Sequence, residues 1–423
     1  MSPPPRQRSF ALFGLGALVP LLGGGNVLVS LEPDLAIRYL ALVTVALAGL
    51  FVATESDRAV DPPAAPTIAL ALLVSWWAAT LVLRPSGPRA ALESQGLFSA
   101  ALLYALFSWK PLLDAEIRAW IAGLVAGTLA TAAYGQYQYW LMFPRVAPLI
   151  RAMGGTPRLY VNANFYNSNC YAVFVAAVIL LAIGVAPASD KRSPRAGSAL
   201  AVSMLVVTVV LTQSRSTLAL LILGGAGLAL GIGLPLALRW VLAAAFLTVV
   251  ATAFVIANKV GFEELWQVGW LGRIAIWVGS LRMIREHWLF GVGLGRFWDY
   301  FEQYRINTYY TRYPHNFLLE AFSELGIVGG GALVFWLVTS VASTVRSWLR
   351  VARLPPGRVD RRRATAVMAA VGLLAVHGLF DIDWHAPANP VLLFSLLAIG
   401  QYLDRVAPEP FASATQLRKP GPP

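Results

Sequence analysis

Sulfur and charge are both scarce in this chain. A single cysteine, Cys170, stands among 423 residues, which excludes an internal disulfide and any cysteine-based metal cluster. Placed at the start of an apolar run, it reads as a small packed side chain. Charged residues make up 13% of the chain, about half their share in an average soluble domain. That is too few to clothe the several soluble domains its length would allow. No Walker sequence is present. The run Gly291-Val292-Gly293-Leu294-Gly295 follows no expected strand and opens no βαβ unit, so it reads as a tight turn and not as a dinucleotide loop. The outer face is read as carrying no Asp-x-Asp or Glu/His cluster at metal-ligand spacing, and neither a metal nor a cofactor is expected. There is no repeat of fixed period, and compositional bias is confined to the Pro-rich ends.

What fills the chain instead is apolar. Hydrophobic residues make up 57%, with a mean hydropathy of +0.64. Runs of about 20 apolar residues, enough to cross roughly 30 Å of hydrocarbon, recur from end to end. The expected fold class is an all-α polytopic membrane protein. Breaks at charged residues, Pro and Gly divide it into about twelve transmembrane helices, near 10–31, 35–54, 67–83, 95–109, 119–142, 169–187, 198–213, 217–234, 237–257, 326–348, 365–380 and 388–404. The first run lacks a small-residue cleavage site before Glu32, so it is expected to be a span and not a cleaved signal. This reading puts spans one to nine in 1–257, a long loop in 258–325, spans ten to twelve in 326–405 and a disordered tail in 406–423. A shorter loop is expected at 143–168.

The formal net charge is +12. The basic residues sit in short loops between spans, where they set orientation and meet anionic head groups, so membrane lipids and not nucleic acid are the expected partners. Their distribution favours both termini in the cytoplasm and the long loop outside. Arg145, Arg151, Arg158, Arg215 and the loop arginines stand against that bias. Positive charge kept there implies a task such as holding an anion.

Chemistry is therefore sought in the stretch 258–326, the one long polar interruption. It carries Lys259, Arg273, Arg282, Arg285, Arg296, Arg305 and Arg312, together with His287 and His315. Residues 272–290 show helical spacing of Ile274, Trp277, Val278, Leu281, Ile284 and Trp288, as in a helix lying in the membrane interface. Arg273 begins that helix and is the better candidate for a substrate contact. Arg282 and Arg285 flank the stripe and suit either substrate or anionic lipid.

His315 lies in Tyr313-Pro314-His315-Asn316 just before an apolar run, with Pro and a polar neighbour as helix-start signals. The dipole at a helix N-terminus disfavours an imidazolium, so this histidine is expected to stay neutral and accept a proton. Arg215, in Thr212-Gln213-Ser214-Arg215-Ser216-Thr217, sits between two short apolar runs. An arginine this close to hydrocarbon is costly unless it faces a partner or a wet cavity. Flanking hydroxyls and the next helix N-terminus would complete an anion site. The alternative is an interfacial arginine that snorkels to lipid phosphate. His377, inside an apolar span, reads as a packing histidine with its nitrogens satisfied. His385 and the Asp381/Asp383 pair fall in a short turn that can line the same cavity.

These pieces resemble the O-antigen ligase/polymerase superfamily of bacterial inner membranes, which is helical and GT-C-like. The resemblance rests on Ser214-Arg215 with Leu218, on Gly272-Arg273 with Trp277 leading to Phe290-Gly-Val-Gly-Leu-Gly-Arg-Phe297, and on His315-Asn316-x-x-Leu319 followed by Glu324-x-Gly326. Asn162-Ala163-Asn164 is similar to an Asn-Pro-Asn of the family. Together they cover about the middle third of the chain. The resemblance implies a periplasmic transfer of glycan from undecaprenyl diphosphate to lipid A-core, inverting and metal-independent. It implies His315 as general base, Arg215 and Arg273 on the diphosphate, and Arg282, Arg285, Asn316 and Asn164 about the substrate. A polymerase that adds glycan to glycan is the near alternative. A twelve-helix transporter is the alternative of another class, though ionisable residues avoid the span centres and no two halves match.

Overall fold

The computed structural model describes residues 5–24, 40–46, 48, 60–83, 88–155, 160–185, 192–231, 271–306, 311–355 and 359–406. Among them the chain is helical throughout and has no strand. In order the helices are α1 (Pro5–Leu22), α2 (Ala64–Leu83), α3 (Pro88–Trp109), α4 (Asp114–Tyr137), α5 (Phe143–Ala152), α6 (Ser168–Val185) and α7 (Arg192–Leu211). Then come α8 (Arg215–Gly231), α9 (Gly272–Glu286), α10 (Phe297–Phe301), α11 (Phe317–Ala352), α12 (Val359–His377), α13 (Ala388–Gly400) and α14 (Leu403–Val406).

Among the described residues four helical stretches are long and apolar enough to cross a membrane: α2, the continuous stretch Asp114–Ala152, α6 and α11. Four shorter apolar helices accompany them, Gln7–Leu22, Ala196–Leu211, Arg215–Gly231 and Ala388–Gly400. The expected span at 237–257 and most of that at 35–54 lie outside the described residues, as do Lys259, Arg158 and the tail beyond 406.

Two expected boundaries are corrected. The loop placed at 143–168 does not begin at Phe143, because one π-helical turn at Gln138–Met142 carries α4 straight into α5. The helix expected from 326 begins at Phe317, and Gly326 is a break inside it with φ 64° and ψ −165°. At the first boundary the helical bonds run on through a stretch rich in Pro and Arg; at the second they are interrupted, with Ile327 donating to the Trp288 carbonyl, so a separate short helix from Phe317 precedes the span expected from 326.

The bundle is built around α6 and α13, which are apolar on every side. All thirteen residues of α13 are buried, as befits a helix with no solvent or lipid face. Small residues bring α1 and α4 together: a Cβ on Gly123 would lie 2.1 Å from the Phe13 carbonyl, and one on Gly127 2.2 Å from that of Ala17.

Polar groups gather at two opposite ends. At one end Arg8 faces Glu116 at 3.7 Å and Arg363, near the start of α12, binds Asp114 at the start of α4. The other end, where α12 stops and α6, α8 and α11 start, carries the turn 378–387. Here α9, the glycine turn and α10 form a cap with a small core of its own, Ile276, Met283, Val292, Phe297, Phe301 and Tyr304. The outer face of α9 leaves Ile274, Val278, Leu281 and Trp288 exposed, so much of the apolar stripe points away from the bundle.

The cap is fastened along one seam. Gly291 and Gly326 meet back to back, both at positive φ, and a Cβ on either would fall within 2.6 Å of the other's segment. Val292 and Gly293 donate to the carbonyls of Ser323 and Glu324, and Ile327 donates to that of Trp288. The Glu324 carboxylate accepts from the amides of Gly295 (2.8 Å) and Phe297 (2.9 Å). Thus the glycine run is a tight turn, and Glu324 is its clasp.

Candidate active site

The turn after α12 brings Asp381 into the centre of the polar end, 3% exposed. Its Oδ2 accepts from Asn169 Nδ2 at 2.7 Å and from Arg273 Nη2 at 3.2 Å. Its Oδ1 accepts from the Ile382 amide at 2.9 Å and lies 3.4 Å from His315 Nδ1. Burial alone would raise the Asp381 carboxyl; His315, His377 and Arg273 outweigh it and hold the group well below the usual carboxylate range. Two residues on, burial pushes the Asp383 carboxyl up against the pull of His377.

Each neighbour is positioned by its own element. Asn169 sits in the first turn of α6, where Asn167 Oδ1 accepts the amides of Asn169 (2.7 Å) and Cys170. Arg273 is the second residue of α9, and Trp277, one turn later, donates to the Pro314 carbonyl at 3.0 Å. That bond lays α9 beside the segment bearing His315. Arg273 Nε is buried and has no hydrogen-bond partner among the described residues, which leaves a guanidinium donor for a ligand.

His315 does not occupy the place expected for it. Pro314 is not in the first helical turn; Asn316 is the N-cap, with Oδ1 accepting from Leu318 (2.9 Å) and Leu319 (3.0 Å), and α11 starts at Phe317. His315 stands just outside, at φ 54°. The carboxylate, and not the helix dipole alone, therefore sets its chemistry. If Nδ1 donates to Asp381, the neutral ring carries its lone pair on Nε2. Among the described residues three that are not glycine have positive φ, Ala163, Gln213 and His315. Each lies in one of the segments singled out from the sequence, and such strain concentrates at functional sites.

Arg215 opens α8, exposed and with no hydrogen bond or ion pair among the described residues. Its neighbours reach the same turn: Ser216 Oγ and Thr217 Oγ1 lie 3.0 and 3.1 Å from His377 Nε2, and His377 Nδ1 is 2.7 Å from Asp383 Oδ2. His377 is buried with both nitrogens satisfied, as a packing histidine should be. His385 stacks on Tyr313 at 3.5 Å and lies 2.7 Å from Glu320 Oε1.

The remaining candidates stand apart. Arg282 and Arg285 are exposed, beyond Arg273 by about three turns of α9, with no ion pair among the described residues. Asn164 is fully buried and its Nδ2 donates to the carbonyls of Pro20 (2.8 Å) and Leu21 (3.0 Å). It ties its loop to the end of α1. Asn316 is committed as a cap.

Sequence reasoning passed over Asn169 and gave Asp381 only a place in the turn. Asp381-Ile382-Asp383 is an Asp-x-Asp, and the structure sends its two carboxylates to different partners. Among the described residues no group of three or more His, Cys, Asp or Glu is placed to hold a metal.

Residues 177–334 match the family model described as O-antigen ligase. The match runs from α6 into α11 and includes Arg215, Arg273 and His315, while Asn169 and Asp381 lie outside it. It supports the superfamily that the motifs resemble. No curated protein matches the chain.

Proposed function

With an O-antigen ligase domain as the premise, we propose that this membrane protein is a glycosyltransferase that moves a glycan from undecaprenyl diphosphate to an acceptor hydroxyl. The observation that carries the reading is the shared carboxylate: Arg273 and His315 both contact Asp381.

In this reading Asp381 orients His315 so that Nε2 takes the proton from the acceptor hydroxyl. The hydroxyl oxygen attacks the anomeric carbon from the side opposite the leaving group. The bond from that carbon to the phosphate oxygen breaks, and the diphosphate departs with the electron pair, giving inversion. Arg273 and Arg215 neutralise the charge that gathers on the diphosphate, a task for which guanidinium forks suit phosphate oxygens. The step is balanced by these groups without a metal or cofactor. Arg282 and Arg285 then serve the lipid head groups or the sugar chain, and Asn164 and Asn316 hold the walls of the site.

The site is taken to face the periplasm, with both termini in the cytoplasm of a bacterium and the chain in its inner membrane. Ligation to lipid A-core is the favoured acceptor chemistry, and polymerisation onto a second lipid-linked glycan is the alternative. Purified protein given labelled lipid-linked glycan with either acceptor decides between them: product on lipid A-core supports ligation, and product on the second glycan alone refutes it. His315→Ala should abolish transfer while undecaprenyl diphosphate still binds. Full activity in that variant would remove His315 from the mechanism.

A further inference from the structure

Arg215 opens α8, whereas Arg273 and His315 meet at the Asp381 turn after α12. One buried histidine joins the two sides. His377, the last residue of α12, is 1% exposed and contacts both Ser216 Oγ (3.0 Å) and Thr217 Oγ1 (3.1 Å) through Nε2. Thr217 Oγ1 in turn receives Ser214 Oγ at 2.9 Å, so both residues flanking Arg215 and the one beyond are drawn into the same network. On its other side His377 Nδ1 meets Asp383 Oδ2 at 2.7 Å. Asp383 belongs to the turn of Asp381, which is fixed from behind: Asn389 Nδ2 donates to the Asp383 carbonyl at 3.2 Å, and Tyr166 hydroxyl to the Ile382 carbonyl at 3.0 Å.

Removing a His–Asp pair from water is costly, and a well-packed apolar pair of the same volume would serve the core as well or better. Stability alone does not call for this pair, and its bonds run between two elements of the site. We infer that His377 is a positioning residue for Arg215, with Asp383 holding its ring and Ser216 and Thr217 receiving it, so that the start of α8 is registered against the Asp381 turn. The inference rests on the diphosphate role proposed for Arg215. His377 touches no substrate in this scheme; it sets where the Arg215 guanidinium stands.

The test uses the full chain in nanodiscs and undecaprenyl diphosphate as the probe, with affinity measured directly. Arg215→Ala should weaken binding by about tenfold or more, and His377→Ala by about tenfold. The double variant should bind no more weakly than Arg215→Ala alone, because the two losses are one loss; a merely structural histidine would give factors that multiply. Ser216→Ala removes the His377 contact alone, Thr217→Val removes that contact and the bond from Ser214, and both are the readout if His377→Ala does not fold. Each should weaken binding a few-fold in the native background and not at all beside Arg215→Ala. Multiplying factors, or normal binding in His377→Ala, overturn the inference while leaving Arg215 its role. Normal binding in Arg215→Ala overturns the diphosphate assignment itself, and this inference with it.

Discussion

Arg273 and His315 are held by opposite oxygens of one buried carboxylate. Asp381 Oδ2 takes the arginine at 3.2 Å, and Oδ1 faces the histidine at 3.4 Å. In the proposed reaction this would set a cation and a base at a fixed spacing through a third group that reacts with neither.

Neutralising that group without changing its shape should be severe. Asp381→Asn leaves an amide in the same place, and its nitrogen would confront Arg273 or the wrong histidine tautomer. Transfer should fall by about a hundredfold or more, the scale expected when a general base loses its orienting carboxylate. Undecaprenyl diphosphate should still bind, though less tightly. Transfer rates and binding measured on the same preparation check this; undiminished transfer would mean that the carboxylate orients nothing.

The same carboxylate predicts an acid limb in stability. Its native ionisation lies well below the usual value near 3.9. A group with a depressed native value stabilises the fold above its unfolded value and loses that contribution as pH falls toward the native one. Thermal unfolding of the wild type should therefore weaken progressively below about pH 4. In Asp381→Asn this decline should be shallower, and equal slopes in the two proteins would contradict the assignment.

Arg273 offers more than one donor, and the fork should matter. Arg273→Lys keeps the charge but can satisfy Asp381 or a phosphate, and not both, with a planar pair. The affinity for undecaprenyl diphosphate should drop by about tenfold, with a further loss in turnover. A lysine variant with native affinity and rate would show that a point charge is enough.

Glu324 and Gly326 should behave as structural residues although they sit within the motif. Glu324→Gln loses one of two carboxylate contacts to the glycine turn and should cost about 1–3 kcal/mol, seen as a lower Tm with the folded fraction retaining donor binding. Gly326→Ala places a Cβ within 2.4–2.6 Å of Leu289 and Gly291 backbone at a positive φ, and should fail to accumulate as folded protein. A catalytic Glu324 would instead lose turnover at native Tm.

Much of the fold was legible because hydropathy is a local property. The stretches 64–83, 168–185 and 388–400 are apolar from end to end, and their bounds fall within a few residues of expectation. Helix α5 was not legible, since Pro144, Arg145 and Pro148 read as loop while the chain enters it without a break through the π-helical turn at Gln138–Met142. In the candidate site, Arg215 and Arg273 stood out as cations where cations are expensive, and His315 as a histidine among helix-start signals. Asp381 and Asn169 carried no such signal: an aspartate at the end of an apolar run looks like an ordinary boundary residue. Its importance lies in what converges on it from α6, α9 and the segment before α11, and convergence in space has no trace in a single sequence.

The cap's private core has a consequence for how the cap is coupled to the reacting groups. Ile276, Met283, Val292, Phe297, Phe301 and Tyr304 pack chiefly on one another, and the joints to the bundle described above are the glycine seam with the Glu324 clasp, Trp277 on Pro314 and Arg273 on Asp381. Further contacts are made by Phe290 on Trp76 and Trp277 on Phe380. A change inside the private core is therefore felt at the reacting groups only through these joints, so the cap couples to the Asp381 turn as a lever does to its pivot.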